Sequence, residues 1–332
     1  QHRYSLLLDK TLKANAQVFT VACYFTLLII PLFFLSQQEL APTEDKSSIN
    51  VITSAPADAS LEYTSAYARE IVSTMQTLPG STRMWEIVQP SGAFGGMTFS
   101  PYAEREQSVH EIYPLAFARL KQVAGVRAFP NLGSGLPTAG TFPVEMVVMS
   151  PDSAEVMLPY AEQLVAAAQA SGKFMFADSD LRIDLPQGQF QLDRDRVASY
   201  GLDLTEVTRQ LAILLSGNYV NRFDLDGKAY RVIPMIEKQG RPNPGALLDL
   251  KIRTPEGELI ALSNMATLET QPAPRFLSKF QQKNSFRVYG GILPGTTKEQ
   301  GLAALEKAAE EILPLGYSID YAGESRQLRQ EG

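Results

Sequence analysis

One cysteine and two histidines are all the thiols and imidazoles this 332-residue chain holds. The cysteine, Cys23, lies in a long apolar run, so no disulfide framework forms within the chain and no cysteine-based metal site exists. With only His2 and His110, a histidine-built zinc centre or a Ser-His-Asp hydrolase has too few parts. Excess positive charge is missing too: the formal net charge is −6, which argues against a nucleic-acid surface, and no long block of like charge makes a tail. Phosphate-binding signatures are lacking. Gly133, Gly135 and Gly140 fit neither GxGxxG nor a P-loop, so no cofactor is expected. Asp178, Asp180 and Asp184, and separately Asp224 and Asp226, have no EF-hand spacing, and no metal site is expected from them.

Charge is most conspicuously absent between Lys13 and Glu39, and there the chain carries VFTVACYFTLLIIPLFFLS, residues 18–36. That is roughly the 20 apolar residues a helix needs to cross a bilayer. It is too long for the core of a cleavable leader and has no polar face for a soluble core helix. Pro31 is compatible with a membrane helix. Arg3, Lys10 and Lys13 precede the run against one Asp9, whereas Glu39, Glu44 and Asp45 follow it with only Lys46. The positive-inside rule then places residues 1–17 in the cytoplasm and everything after about residue 37 outside.

Beyond a polar linker, 37–47, the pattern alternates between strands and helices. Ile49, Val51 and Thr53 read as a strand, followed by a helix capped at Ser60 with Ala68, Ile71, Val72, Met75 and Leu78 on one face. A strand at 84–88 precedes a Gly-rich stretch, 89–98, read as a loop, and Phe99 opens another extended piece. Val109, Ile112, Tyr113, Ala116 and Leu120 predict a helix that Pro114 kinks or begins, then strands follow at 125–129 and 144–149. Strand–helix–strand twice over is the split βαβ pattern of a ferredoxin-like unit. A helix at 153–171, short strands at 174–176 and 190–192, a strand at 285–290, a helix at 297–313 and a strand at 317–321 repeat it. Between them, a helix at 204–216 and two hairpins, turned at Asp224–Gly227 and at Pro255-Glu256-Gly257, look like an insertion. The fold class is therefore α+β: ferredoxin-like units with an inserted hairpin-rich subdomain, behind one transmembrane helix.

For ligand chemistry the Gly-rich stretch carries the interest. Gly92, Gly95 and Gly96 free the backbone while Phe94, Met97 and Phe99 offer apolar surface that can repack. It reads either as an ordinary connection or as a flap beside a ligand. Arg194 and Arg196, between Asp193 and Asp195, read as a solvated run at the foot of a helix, and His110 beside Glu111 as an exposed or hydrogen-bonded histidine.

Five stretches, in order, resemble the second periplasmic half of a resistance–nodulation–division (RND) multidrug efflux transporter. They are ELAPTED at 39–45, GVRAF at 125–129, DRDRVASYGL at 193–202, GNYVNRF at 217–223 and YGGILPG at 289–295. The resemblance implies that residues 18–36 are a membrane helix of a bacterial inner-membrane protein and that the rest lies in the periplasm. It implies a first porter subdomain at 48–151 and a second made of 152–193 with 283–322. A docking subdomain would occupy 194–282, and 323–332 would connect to a further membrane helix. The family works as a proton-driven homotrimer joined to a periplasmic adaptor protein and an outer-membrane channel, exporting drugs and other amphiphiles, and is not an enzyme. By position, Phe94 would belong to the flexible loop with Gly92, Gly95 and Gly96. Phe94, Met97, Phe99, Trp85 and Ile87 would then contact substrate. Tyr219, Asn221, Phe223, Asp226, Gly227, Pro255 and Gly257 on the hairpins would face a docking partner.

A single-pass anchored periplasmic binding or adaptor module is the rival reading. The two separate on whether another apolar span follows Gly332. Export of metals or lipids is a variant of the first reading. The scattered methionines disfavour the metal version.

Overall fold

A computed structural model describes residues 2–35, 43–135, 137–215, 217, 219–235 and 244–331. Most of ELAPTED and Asn218 in GNYVNRF lie outside the described residues. The chain forms two compact units, residues 1–181 with 277–332, and residues 182–276.

The first unit opens with helices α1 (His2–Lys13) and α2 (Asn15–Leu35). At 1.5 Å per residue α2 spans about 31 Å, the thickness of a bilayer's hydrocarbon core. None of Asn15–Phe33 is buried against protein. Its threonine hydroxyls are satisfied within the helix, Thr20 Oγ1 donating to the Ala16 carbonyl (2.8 Å) and Thr26 Oγ1 to that of Ala22 (2.9 Å). A helix in lipid needs that self-sufficiency. In α1, Tyr4, Leu8 and Leu12 recur every four residues and are exposed, and Lys13 pairs with Asp9 at 2.6 Å. That helix was not read from the sequence.

Next comes a ferredoxin-like unit: β1 (Ser48–Ser54), α3 (Leu61–Gln76), β2 (Ser81–Gln89), β3 (Gly92–Phe99), α4 (Val109–Leu120) and β4 (Arg127–Asn131). Its antiparallel sheet runs β2-β3-β1-β4. The Ser60 hydroxyl accepts the Tyr63 amide to start α3, and a Ser108–Glu111 capping box starts α4. Helix α4 runs through Pro114 without a break. Ile49, Val51, Met97 and Phe99 from the sheet meet Ile71, Met75, Ile112 and Ala116 from the helices in a closed core. Asp45, from the end of the linker, anchors this unit. It pairs with Arg105 and accepts the amides of Ser47 (3.0 Å) and Val109 (2.9 Å).

Two expectations change here. The stretch 89–98 is not a loop: β3 is an inner strand paired along both edges, and only the tight connection between Gln89 and Gly92 turns. Glycine content suggested a loop because glycine is poor in strands, but here close neighbours require it. A Cβ at Gly95 would lie 2.4 Å from the Trp85 carbonyl oxygen, and one at Gly96 would lie 3.2 Å from the Trp85 indole nitrogen. Gly92, Gly95 and Gly96 are therefore fixed strand positions.

The second change concerns β5 (Val144–Ser150), placed by sequence before a boundary at residue 151. It is the central strand of the next sheet. After it come α5 (Ala154–Ala170), with Pro159 in its first turns, and β6 (Phe174–Ser179).

Residues 182–276 form the second unit. Strand β7 (Ile183–Leu192) is followed by α6 (Arg194–Ser199), capped by the Asp193 carboxylate, and α7 (Leu204–Leu215). Then come β8 (Asn221–Leu225), β9 (Lys228–Val232), β10 (Lys251–Arg253), β11 (Leu259–Ala261) and β12 (Ala266–Pro274), which pairs with β7. Val197, Val207, Leu211, Ile252, Leu262 and Met265 make its core. The Gln210 carboxamide brackets Arg253, donating to its carbonyl (3.0 Å) and accepting its amide (2.9 Å), which ties α7 to β10. The expected insertion 194–282 is thus displaced: it begins before β7, and residues 277–282 return to the first unit.

There β13 (Ser278–Phe280) turns into β14 (Lys283–Ile292), followed by α8 (Lys298–Ile312), β15 (Ser318–Tyr321) and α9 (Gly323–Glu331). β14 sits between β6 and β5, and β5 pairs with β15. The order β6-β14-β5-β15 repeats the first sheet's order, a second ferredoxin-like unit. Residues 323–331, expected as a connector, form a helix with Ser325 and Leu328 buried, and Arg329 pairs with Glu299 (2.6 Å) and Glu306 (2.7 Å) of α8.

Candidate functional site

The two ferredoxin-like units of the first compact unit meet through rings. Phe176 of β6 stacks on Phe129 of β4 (centroids 4.5 Å) and packs against Phe117 (5.8 Å) and Phe142 (5.6 Å). Phe142 in turn stacks on Tyr289 at 4.5 Å. Arg127 of β4 pairs with Asp178 of β6 beside this stack. Tyr113 reaches between the units, donating to the Pro130 carbonyl at 3.3 Å, and burial holds its phenol protonated far above the usual range. Gly291 makes room for it, since a Cβ there would lie 2.8 Å from the Tyr113 hydroxyl.

Beside the stack is a cavity of about 610 Å³. Asn50, Phe94, His110, Tyr113, Asn131 and Leu132 line it from the first ferredoxin-like unit. Ile292 to Thr296, Lys298 and Glu324 line it from the second, and the stretch carrying Gly133, Ser134, Pro137, Thr138 and Gly140 to Pro143 adds to the wall. That segment is held at its far end. Glu145, 1% exposed, accepts the amides of Thr141 (2.6 Å) and Phe142 (2.8 Å), while Asn131 donates to the Thr141 carbonyl. Gly140 lies against Gly323 so closely that a Cβ on Gly140 would come within 2.5 Å of the Gly323 Cα. The wall is a mixture of apolar surface and a few fixed polar groups, the usual make-up of a small-molecule site.

The five residues expected to contact a substrate do not share a surface. Alternation along β3 sends Phe94 to the open face of the sheet and Met97 and Phe99 to the helix-covered face. Met97 is 0% and Phe99 5% exposed, locked in the core, so neither offers a contact surface here. Phe94 lines the cavity. Trp85 sets its ring edge-on to Phe94 at 5.4 Å, and Ile87 sits directly opposite Phe94 across the ladder, both exposed. Sequence reasoning missed Asn50, Tyr113, Asn131, Phe142, Lys298 and Glu324, and passed over His110. They come from separate segments with no shared motif.

Each aspartate of the cluster examined for metal binding faces an arginine: Asp178 meets Arg127, Asp180 meets Arg287 (3.1 Å) and Asp184 meets Arg275 (2.6 Å). Arg275 and its companions hold the Asp184 carboxyl below the usual range. For Asp180 burial outweighs the pull of Arg287 and raises it. Among the described residues no group of three or more His, Cys, Asp or Glu converges.

In the second unit, all ten residues of β8 and β9 are exposed. Asp226 and Gly227 take left-handed conformations (φ 50° and 73°) at a turn of the Asp-Gly hairpin kind. Phe223 stacks on Tyr230 at 5.5 Å, Arg222 and Arg231 lie over Tyr219 at 4.8 and 5.2 Å, and Asn221 accepts the Arg222 amide. Pro255 and Gly257 form the turn between β10 and β11, Gly257 at φ 95°.

Residues 1–332 match the model of the AcrB/AcrD/AcrF family. The chain is 27% identical over 340 residues to an uncharacterized transporter of Haemophilus influenzae, covering 99% of this chain and 32% of that protein. It is 22% identical over 349 residues to the multidrug export protein AcrF of Escherichia coli, covering 100% and 34%. Over 150 residues it is 29% identical to the toluene efflux pump membrane transporter TtgB of Pseudomonas putida, covering 45% and 14%. In fold it resembles a heavy metal efflux pump crystal structure, with TM-score 0.83 and 16% identity over 99% of this chain and 36% of that one. The chain thus spans about a third of the length of the relatives it matches along its whole length. A family match from end to end, on a fold shared with efflux pumps, places this chain in the AcrB/AcrD/AcrF family of RND transporters.

Proposed function

We propose that this chain is the substrate-handling periplasmic half of a proton-driven RND exporter of drugs and other amphiphiles in the bacterial inner membrane. Helix α2 crosses the membrane, residues 1–17 face the cytoplasm and everything after about residue 37 stands in the periplasm. The two ferredoxin-like units act as porter subdomains, and the cavity between them admits substrate. The unit 182–276 acts as the docking part. Its hairpins meet a periplasmic adaptor, an outer-membrane channel or the next subunit of a homotrimer through Tyr219, Asn221, Phe223, Asp226, Gly227, Pro255 and Gly257.

One observation carries this reading: a cavity of about 610 Å³ at the junction of the two ferredoxin-like units, each with buried residues of its own (Ile49, Ile71 and Met97 in the first, Val148, Phe286 and Leu305 in the second), walled by Phe94, Tyr113, Leu132 and Ile292. Apolar burial is non-directional, at about 25 cal/mol per Å², so such a wall accepts many amphiphiles. Units with their own cores can move against each other, opening and closing what lies between them.

Phe94→Ala in the complete transporter tests it. The expected result is a changed order of resistance across a panel of dyes, detergents and antibiotics at unchanged protein level. Resistance identical to wild type for every compound would remove Phe94 and the cavity from the transport path.

A further inference from the structure

The cavity wall carries one close ion pair. Lys298, the first residue of α8, and Glu324, in the first turn of α9, approach to 2.8 Å. Both side chains are nearly buried, 11% and 13% exposed. Among the described residues of the wall they are the Lys and the Glu, and the other described residues lining it are apolar or neutral apart from His110.

We infer that the Lys298–Glu324 pair restricts this cavity to ligands without net charge. This rests on the cavity being the substrate site. A neutral amphiphile leaves the pair intact and gains from the apolar wall. A ligand bearing a sulfonate or carboxylate meets a cation already engaged and desolvated. It must either stay unpaired in a low-dielectric pocket or separate Lys298 from Glu324, stranding the carboxylate. A cationic ligand faces the mirror-image problem. The restriction is therefore symmetric in sign, and removing one partner converts it into a preference. Glu324→Gln takes the opposing carboxylate from Lys298 and favours anions, whereas Lys298→Met takes the opposing ammonium from Glu324 and favours cations.

N-phenyl-1-naphthylamine and 1-anilinonaphthalene-8-sulfonate share a ring system and differ by one sulfonate, so they isolate the charge. The whole chain, held in amphipol, gives a local readout through energy transfer from its single tryptophan, Trp85, which packs on Phe94 of the wall. The neutral probe is expected to bind wild type roughly tenfold more tightly than the sulfonate, a gap set by the stranded charge. Glu324→Gln should close most of that gap, and Lys298→Met should not. Equal binding of both probes to wild type, or an unchanged ratio in Glu324→Gln, overturns the inference. Leu132→Phe with Ile292→Phe fills the cavity as a control. If neutral-probe binding survives that filling, the cavity is not the site, and the functional reading falls with this one. If filling abolishes binding while the ratios stay flat, only the role of the ion pair falls.

Discussion

Glu86 lies on β2, turned by the strand's alternation to the helix-covered side with Met84, opposite Gly95. Its Oε1 is buried without a hydrogen-bond partner, and burial pushes its carboxyl up to about 7. The folded chain therefore keeps a proton on Glu86 that the unfolded chain, near 4.5, releases. Stability falls as pH rises through that window. Glu86→Gln removes the penalty: the variant should melt level with wild type at pH 4 and above it at pH 8. A melting-temperature difference flat across that range would contradict this account. Asp45 has the opposite sign. Burial pushes its carboxyl up, but the Val109 amide, Arg105 and the Ser47 amide outweigh burial and hold it below the usual range. Its contribution is present above the unfolded value of about 3.8 and disappears as pH falls through the lower folded one. Asp45→Asn takes the carboxylate from Arg105, 4% exposed, and should cost about 3 kcal/mol at neutral pH by denaturant unfolding, with the cost shrinking in acid. A cost that stays constant in acid would show that shape rather than charge matters there.

Among the elements, β3 shows how glycine can serve packing instead of freedom. Gly95→Val would drive a side chain into the Trp85 carbonyl and the Glu86 stem, displacing the strand that carries Phe94. About 1–3 kcal/mol of destabilisation is expected, together with altered energy transfer from Trp85. A neutral Gly95→Val would mean the strand adjusts freely, as the loop reading assumed. Glycine count alone could not separate these cases, because the obstacle at each glycine comes from β1 or β2. Helix α3 was legible because Ser60 and the spacing of Ala68, Ile71 and Met75 are local signals. Both hairpins of the second unit were legible for the same reason, through Asp226-Gly227 and Pro255–Gly257. Helices α1 and α9 were not read: α9, GESRQLRQE, is short and polar and is recognisable only through its contacts with α8.

At the scale of the molecule, the ferredoxin-like pattern could be read from the order of strands and helices, but not which sheet β5 joins. Its partners β14 and β15 lie more than 130 residues further along, and strand pairing across such distances leaves no local trace. The cavity was illegible for a related reason, since its wall draws on segments from Thr43 to Glu324. Phe94, which lines the cavity, was singled out because it sits in a compositionally unusual stretch. Met97 and Phe99 were misplaced with it because the loop reading ignored the two-residue alternation of a strand. The central claim, that substrate occupies the cavity between the two ferredoxin-like units, is most directly tested by cysteine labelling. In the complete transporter with its native cysteines, Cys23 included, replaced, Leu132→Cys reports on the wall and Leu315→Cys, at a fully exposed position, serves as reference. Maleimide labelling is measured with and without a transported amphiphile. The account predicts that substrate slows labelling at 132 and leaves 315 unchanged; equal rates at 132 with and without substrate would contradict it.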